Sequence, residues 1–283
     1  MIEFYIPFAE WVNAGFDVVS RQLSPFLRAV SVFFEALINL FEELLLWPPE
    51  AVLMLAIGLL MWRITKNRNL GLFAVLGLLF TYGVDVWQPA MSTVALALSG
   101  TAASLIVGIP LGILASQNDA VEKVLRPILD VMQTLPSFVY LIPAVMFFGM
   151  GKVAALVATM IFAMPPAVRL TNLGIREVSK EMVEAAESFG STRREVLQDI
   201  QLPLALPTIM AGVNQCIMMA LAMTVIASMI GAGGLGLVVL RSMQSLDIGM
   251  GTVGGLGIVI LAVALDRLTE NISQQQQKQK GLD

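Results

Sequence analysis

The sequence predicts an all-α polytopic membrane protein, and three features carry that prediction. Hydrophobic residues make up 57% of the 283 positions and charged residues 13%, with a mean hydropathy of +0.80; a soluble domain, in which about a quarter of residues are charged, would need an implausibly large core. The apolar residues fall into segments of roughly bilayer length. The polar ones collect in joints, most densely in an island at residues 184–203, EAAESFGSTRREVLQDIQLP, flanked on both sides by apolar segments, so the island must project from the membrane. The net charge of −4 is small and scattered, which gives no support for a nucleic-acid partner. With no His and with Cys216 alone inside an apolar run, the chain can build neither a disulfide nor a Cys/His metal site of its own.

Taken in order, residues 1–24 mix Glu3, Glu10, Asp17 and Arg21 with aromatics and lack the basic, apolar and small-residue sequence of a signal peptide. Residues 25–47 form an amphipathic helix: Arg28, Ser31, Glu35, Asn39 and Glu42 recur at three- and four-residue steps opposite Phe33, Phe34, Leu37, Phe41 and Leu44. Glu35 would be costly at the bilayer centre, so the helix is expected in the interface. After Pro48 and Pro49 come spans at 51–64, which ends in Arg63, Lys66 and Arg68, and at 70–86, with Tyr82 and Trp87 as aromatic anchors. The Gly-, Ala- and Ser-rich residues 89–115 suit close helix packing. A polar loop at 116–130 precedes two spans, 135–150 and 153–168, joined by a turn at residues 149–152. Beyond the island lie spans at 207–230 and 249–265, and a glutamine-rich tail from 273 that reads as disordered. That makes about seven spans: an N-terminal segment 1–48, two accessory helices within 49–86, a core 87–268 with a polar loop at 177–203, and a tail 269–283.

Within the island, Ser179 stands where an N-cap would open a first short helix carrying Glu181, Glu184, Ala185 and Ala186 towards Phe189. Gly190 supplies the joint, Thr192 and Glu195 have capping-box spacing for a second helix, and Pro203 is expected to end it. Two short helices around a turn, with small alanines on one face, suit docking into a groove better than chemistry. The stretch Gly231-Ala232-Gly233-Gly234-Leu235-Gly236 formally matches GxGxxG, but it follows an apolar helix instead of a strand and reads as a tight turn. No GxxxxGK[ST] phosphate loop occurs, so ATP hydrolysis by the usual route would need another polypeptide.

The pattern Glu184-Ala185-Ala186, Gly190 and Ile200-x-Leu202-Pro203 resembles the EAA loop of permease subunits of bacterial ATP-binding-cassette importers, the binding-protein-dependent inner-membrane components. The stretches at residues 135–143 (LPSFVYLIP), 162–166 (FAMPP) and 206–215 (LPTIMAGVNQ) resemble the glycine betaine/proline betaine branch, and the likeness runs over about residues 87–267. The resemblance implies a type I importer transmembrane domain, working as a homodimer with two cytoplasmic ATPase subunits and an extracytoplasmic solute-binding protein. It implies ATPase coupling through Glu184, Ala185, Ala186, Gly190, Ile200, Leu202 and Pro203, and an outer loop at Gly231, Gly233, Gly234 and Gly236 facing the binding protein. ATP and magnesium would belong to the ATPase, with no cofactor in this chain. Choline and carnitine are alternative solutes, because the aromatic cage that selects quaternary ammonium groups belongs to the binding protein. Phe138, Tyr140, Asn214, Gln215, Met218, Met219 and Thr224 are candidates to line the path, since a methylated cation tolerates soft, weakly polar walls.

With the island inside the cell, thirteen of the seventeen Lys and Arg fall on the cytoplasmic side, as the positive-inside rule asks. The protein would then sit in the bacterial cytoplasmic membrane with its N-terminus outside and its C-terminus inside; were residues 25–47 to span, the N-terminus alone would flip. An ion-coupled secondary transporter is the rival reading, but the spans at 89–115, 135–150, 153–168 and 207–230 hold no ionisable residue near midplane. A membrane-embedded hydrolase is weaker still, with no catalytic constellation to assemble.

Overall fold

The structure, a computed structural model, describes residues 7–279; Glu3 and Lys280 lie outside the described residues. Twelve α-helices follow one another among these: α1 Phe8–Leu46, α2 Glu50–Thr65, α3 Arg68–Gly83, α4 Trp87–Gln117, α5 Asp119–Thr134, α6 Ser137–Phe148, α7 Lys152–Arg176, α8 Lys180–Ser188, α9 Arg193–Glu195, α10 Leu202–Ala227, α11 Gly234–Ser245 and α12 Ile248–Gln279. Four helical stretches are long and apolar enough to cross a membrane alone: Trp87–Gln117, Lys152–Arg176, Arg193–Ile230 and Ile248–Ile272. Two bent pairs qualify jointly, α1 with α2 at 97° and α5 with α6 at 101°, and α3 is a shorter apolar helix.

The core is α7 sandwiched between α4 and α10, and small residues let the backbones close up. A side chain at Gly112 of α4 would stand 2.6 Å from Thr171 Cβ and 2.7 Å from the Val168 carbonyl, both on α7. Without a hydrophobic drive between helices in lipid, such close packing is a main source of cohesion. Ser104 on α4 adds a hydroxyl donated to the Met160 carbonyl at 3.0 Å.

Several elements depart from the sequence-based expectation. The helix expected at 25–47 is the second half of α1, which starts at Phe8 and continues through Pro25. It lies lengthwise and antiparallel against α4. Glu42 accepts from Ser92 at 2.8 Å, Ser99 reaches the Leu37 carbonyl at 3.5 Å, Phe34 and Ile38 share a buried cluster with Leu96 and Ala103, and Ala29, Val30 and Val107 line one groove. These residues run along about 20 Å of α1. Part of the polar stripe that pointed to the interface has partners: Glu42 pairs with Lys152 at 2.5 Å, and Ser31 donates to the Leu27 carbonyl. The loop expected at 116–130 is the amphipathic helix α5, opened by Asn118, whose side chain accepts from Ala120 N–H. Its charges anchor it to α7: Arg176 to Asp119 at 2.7 Å and to Glu122 at 3.1 Å, Arg169 to Asp130 at 2.6 Å. The span expected at 135–150 is α6, whose 12 residues cover about 18 Å, short of a bilayer core of about 30 Å, and α5 joins it at a bend of 101°. Of the tail at 273–283, α12 continues as helix to Gln279 and residues 280–283 lie outside the described residues.

Candidate functional site

The island folds into a knob whose backbone is closed on itself. α8 ends in a Schellman arrangement: Gly190, at φ +91°, donates to the Glu187 carbonyl at 3.0 Å, and Ser191 donates to the Ala186 carbonyl at 3.1 Å. Ser179 occupies the N-cap position without a capping hydrogen bond from its side chain. The Thr192 capping box forms in full, with the Glu195 carboxylate accepting from Thr192 N–H at 2.7 Å. Those bonds favour the ionised form and hold the Glu195 carboxyl below the usual carboxylate range. No residue of α8 is buried; Glu184 and Ala185 are exposed and Ala186 half-buried. Phe189, at the turn, is 93% exposed.

The second helix does not end at Pro203. α9 runs through a π-helical segment, Val196–Gln201, directly into α10, so that Arg193–Ile230 is one helical run of 38 residues. A proline in a helix has no N–H to donate and crowds the carbonyl four residues back. Here the wider turn comes just before it: Leu202 N–H donates to the Leu197 carbonyl, five residues back, and Pro203 takes the second position of α10, where a missing donor costs little. Leu197 and Leu202 pack on Ile175, Ala205 and Ile209, which seats the knob's base on α7 and α10. Ile200 is half-buried beside them.

At the other end of α10 the glycine stretch is a packed turn more than an open loop. Gly231, Gly233 and Gly234 all have positive φ, and Gly231 alone of the four is exposed. Leu235 is fully buried and its N–H donates to Thr93 on α4 at 2.8 Å. Gly236 is needed for contact, since a side chain there would stand 2.7 Å from the Val225 carbonyl. What projects at this end is the turn after α11, a helix the sequence reading passed over, where Leu246 is 86% and Ile248 85% exposed and Leu246 holds φ +56°.

The candidate path residues separate into two groups. Tyr140 donates to the Met132 carbonyl at 2.5 Å and packs edge-on to Phe162; Thr224 is buried and donates to the Leu221 carbonyl at 2.7 Å. Asn214 donates to Asp266 at 3.2 Å and accepts from Thr269, which ties α10 to α12. These three spend their polar groups inside the chain. Gln215 and Phe138 remain exposed, and Met218 and Met219 are half-buried. Asp266 and Thr269 went unnoticed in the sequence, although an acid closing a long apolar run is a signal that such a partner exists.

The family described as binding-protein-dependent transport system inner membrane component matches residues 108–278. The glycine betaine/proline betaine transport system permease protein ProW of Escherichia coli (strain K12) is 46% identical over 269 residues, covering 95% of this chain and 76% of that protein. The glycine betaine/carnitine transport permease protein GbuB of Listeria monocytogenes serotype 1/2a (strain 10403S) is 45% identical, covering 95% and 96%. A structure of the MetNI methionine ABC transporter in an inward-facing conformation superposes with a TM-score of 0.61 at 19% identity, covering 65% of this chain and 93% of that one.

Proposed function

The chain belongs to the binding-protein-dependent transport system inner membrane components and is a permease subunit of an ATP-binding-cassette importer; from that premise we propose that it carries glycine betaine or a close analogue into the cell. Two copies form the path, two cytoplasmic ATPase subunits hydrolyse ATP, and an extracytoplasmic binding protein delivers the solute. The knob and the C-terminus face the cytoplasm. α1 runs through the membrane beside α4, and its Glu42 end lies at the outer surface.

One observation supports this reading most: the exposed knob is continuous, through Arg193–Ile230, with a helix that reaches the opposite end of the core. Movement imposed at Phe189 therefore has a covalent, hydrogen-bonded rod to travel along. Within the path, Gln215, Phe138, Met218 and Met219 supply the soft, weakly polar surface that a methylammonium tolerates. Carnitine belongs to the same chemical class, since it too joins a trimethylammonium to a carboxylate.

The test is reconstitution of the chain with its ATPase and binding protein in liposomes. Radiolabelled glycine betaine should accumulate only with ATP inside and binding protein outside. Accumulation driven by an ion gradient without ATP would contradict the proposal.

A further inference from the structure

The hairpin of α2 and α3 lies before residue 108, where the match to the family model begins. The helices meet at Gly58 and Gly71, where a side chain on Gly71 would stand 2.8 Å from the Gly58 carbonyl. This close crossing leaves a groove of about 510 Å³ along one face, walled by Leu55, Leu59, Leu72 and Val75 and closed at the turn end by Trp62 and Arg68. Leu55, Leu59 and Leu72 are each more than half exposed.

The closed end is positively charged and rigid. The Arg68 guanidinium sits over the Trp62 ring, 5.5 Å from its centroid, which holds it at the groove's mouth. Arg63 and Lys66 flank it, all three exposed, and among the described residues none of the three pairs with a carboxylate within 4.0 Å. The turn between the helices is pinned by Thr65, whose hydroxyl donates to the Met61 carbonyl at 2.7 Å and accepts from Asn67 N–H at 3.2 Å. Asn67 in turn caps α3, accepting from Asn69 N–H at 2.9 Å. The C-terminal end of α2 and the N-terminal end of α3 meet at this turn, so their opposed dipoles offset and the three side-chain cations carry the charge.

An open apolar groove that ends in three cations without a carboxylate partner matches one occupant by chemistry. We propose that the α2–α3 hairpin is a binding site for an anionic phospholipid, with one acyl chain along Leu55, Leu59, Leu72 and Val75 and the phosphate at Arg68, Arg63 and Lys66. Trp62 lies where the chain meets the headgroup, as tryptophan does at membrane interfaces. A zwitterionic lipid fills the groove equally well but leaves the cations with less charge to balance, so selectivity belongs to the headgroup.

The test uses the purified full chain in mixed micelles and reads quenching of tryptophan fluorescence by phospholipids brominated on the acyl chains. The signal of Trp62 is isolated by subtracting the Trp62→Phe variant. Brominated phosphatidylglycerol should quench Trp62 to half-maximum at a mole fraction several-fold below that of brominated phosphatidylcholine. The triple variant Arg63→Gln, Lys66→Gln, Arg68→Gln should abolish the preference, while Leu72→Trp, measured by retention of phosphatidylglycerol in native mass spectrometry, should lower occupancy with the cations intact. Equal quenching of the wild-type chain by the two lipids would overturn the proposal, as would a preference that survives the triple variant. Displacement of the lipid by millimolar inorganic phosphate would also overturn it, because the apolar groove would then contribute nothing to binding.

Discussion

Gly233 and Gly234 are neighbours with φ of +80° and +73°, yet they are held in place by different forces. Around Gly233 there is open space, so Gly233→Val meets only backbone strain of about 1–3 kcal/mol. At Gly234 a new side chain would also collide with Thr93 Oγ1, the acceptor for Leu235 N–H. Thermal unfolding in detergent should therefore show a lower Tm for Gly234→Val than for Gly233→Val; equal values would contradict the packed-turn description. Phe189 poses the opposite case, an aromatic ring 93% exposed at the turn of the knob. Burying such a ring in a partner groove is worth about 1.5–3 kcal/mol. Phe189→Asp should accordingly weaken retention of the ATPase subunit by at least about tenfold, which corresponds to about 1.4 kcal/mol. Full retention in co-purification would show that the ring does not dock.

At the scale of elements, what could be read from the sequence was decided by how one-sided each segment is. Long uniform runs such as α4, α7 and α12 are visible because every residue contributes to the hydropathy. α5 was taken for a loop because its average is polar, although Asp119, Glu122, Lys123, Arg126 and Asp130 fall on helical steps around buried Leu129. α11 was hidden by the glycines that open it, and the continuity of α9 with α10 by Pro203, whose ordinary effect is cancelled by the π turn before it. α1 was legible as an amphipathic helix, without the partners on α4 and α7 that meet its polar stripe, and its course beside α4 through the membrane is the placement proposed above. That placement is testable. With single cysteines replacing Arg28, Glu35 and Glu43, a membrane-impermeant maleimide added outside should label only position 43 if α1 runs lengthwise beside α4. Labelling of all three from outside would return α1 to the interface.

For the whole molecule, the candidate site was legible where chemistry is local and obscure where it depends on the fold. The spacing of Thr192 and Glu195 foretold a capping box, and the box is there. The partners of Asn214 and Tyr140 lie 52 and 8 residues away, and nothing in their own neighbourhood announces them. What binds the knob to function is the run Arg193–Ile230, 38 residues or about 57 Å, enough to cross a membrane of about 40–45 Å with its headgroups. We propose that ATPase closure reaches the path through this run, and Gly190 offers the cleanest way to disturb it. The space around Gly190 is open, so a side chain there clashes with nothing and acts through its φ of +91° alone, leaving the membrane core untouched. The measurement is ATP-driven glycine betaine uptake, alongside ATPase activity, by liposomes carrying the assembled transporter with Gly190→Ile. The variant should insert normally and lose uptake, either because the ATPase no longer attaches or because it turns over without transport. Full assembly together with full uptake in that variant would contradict it.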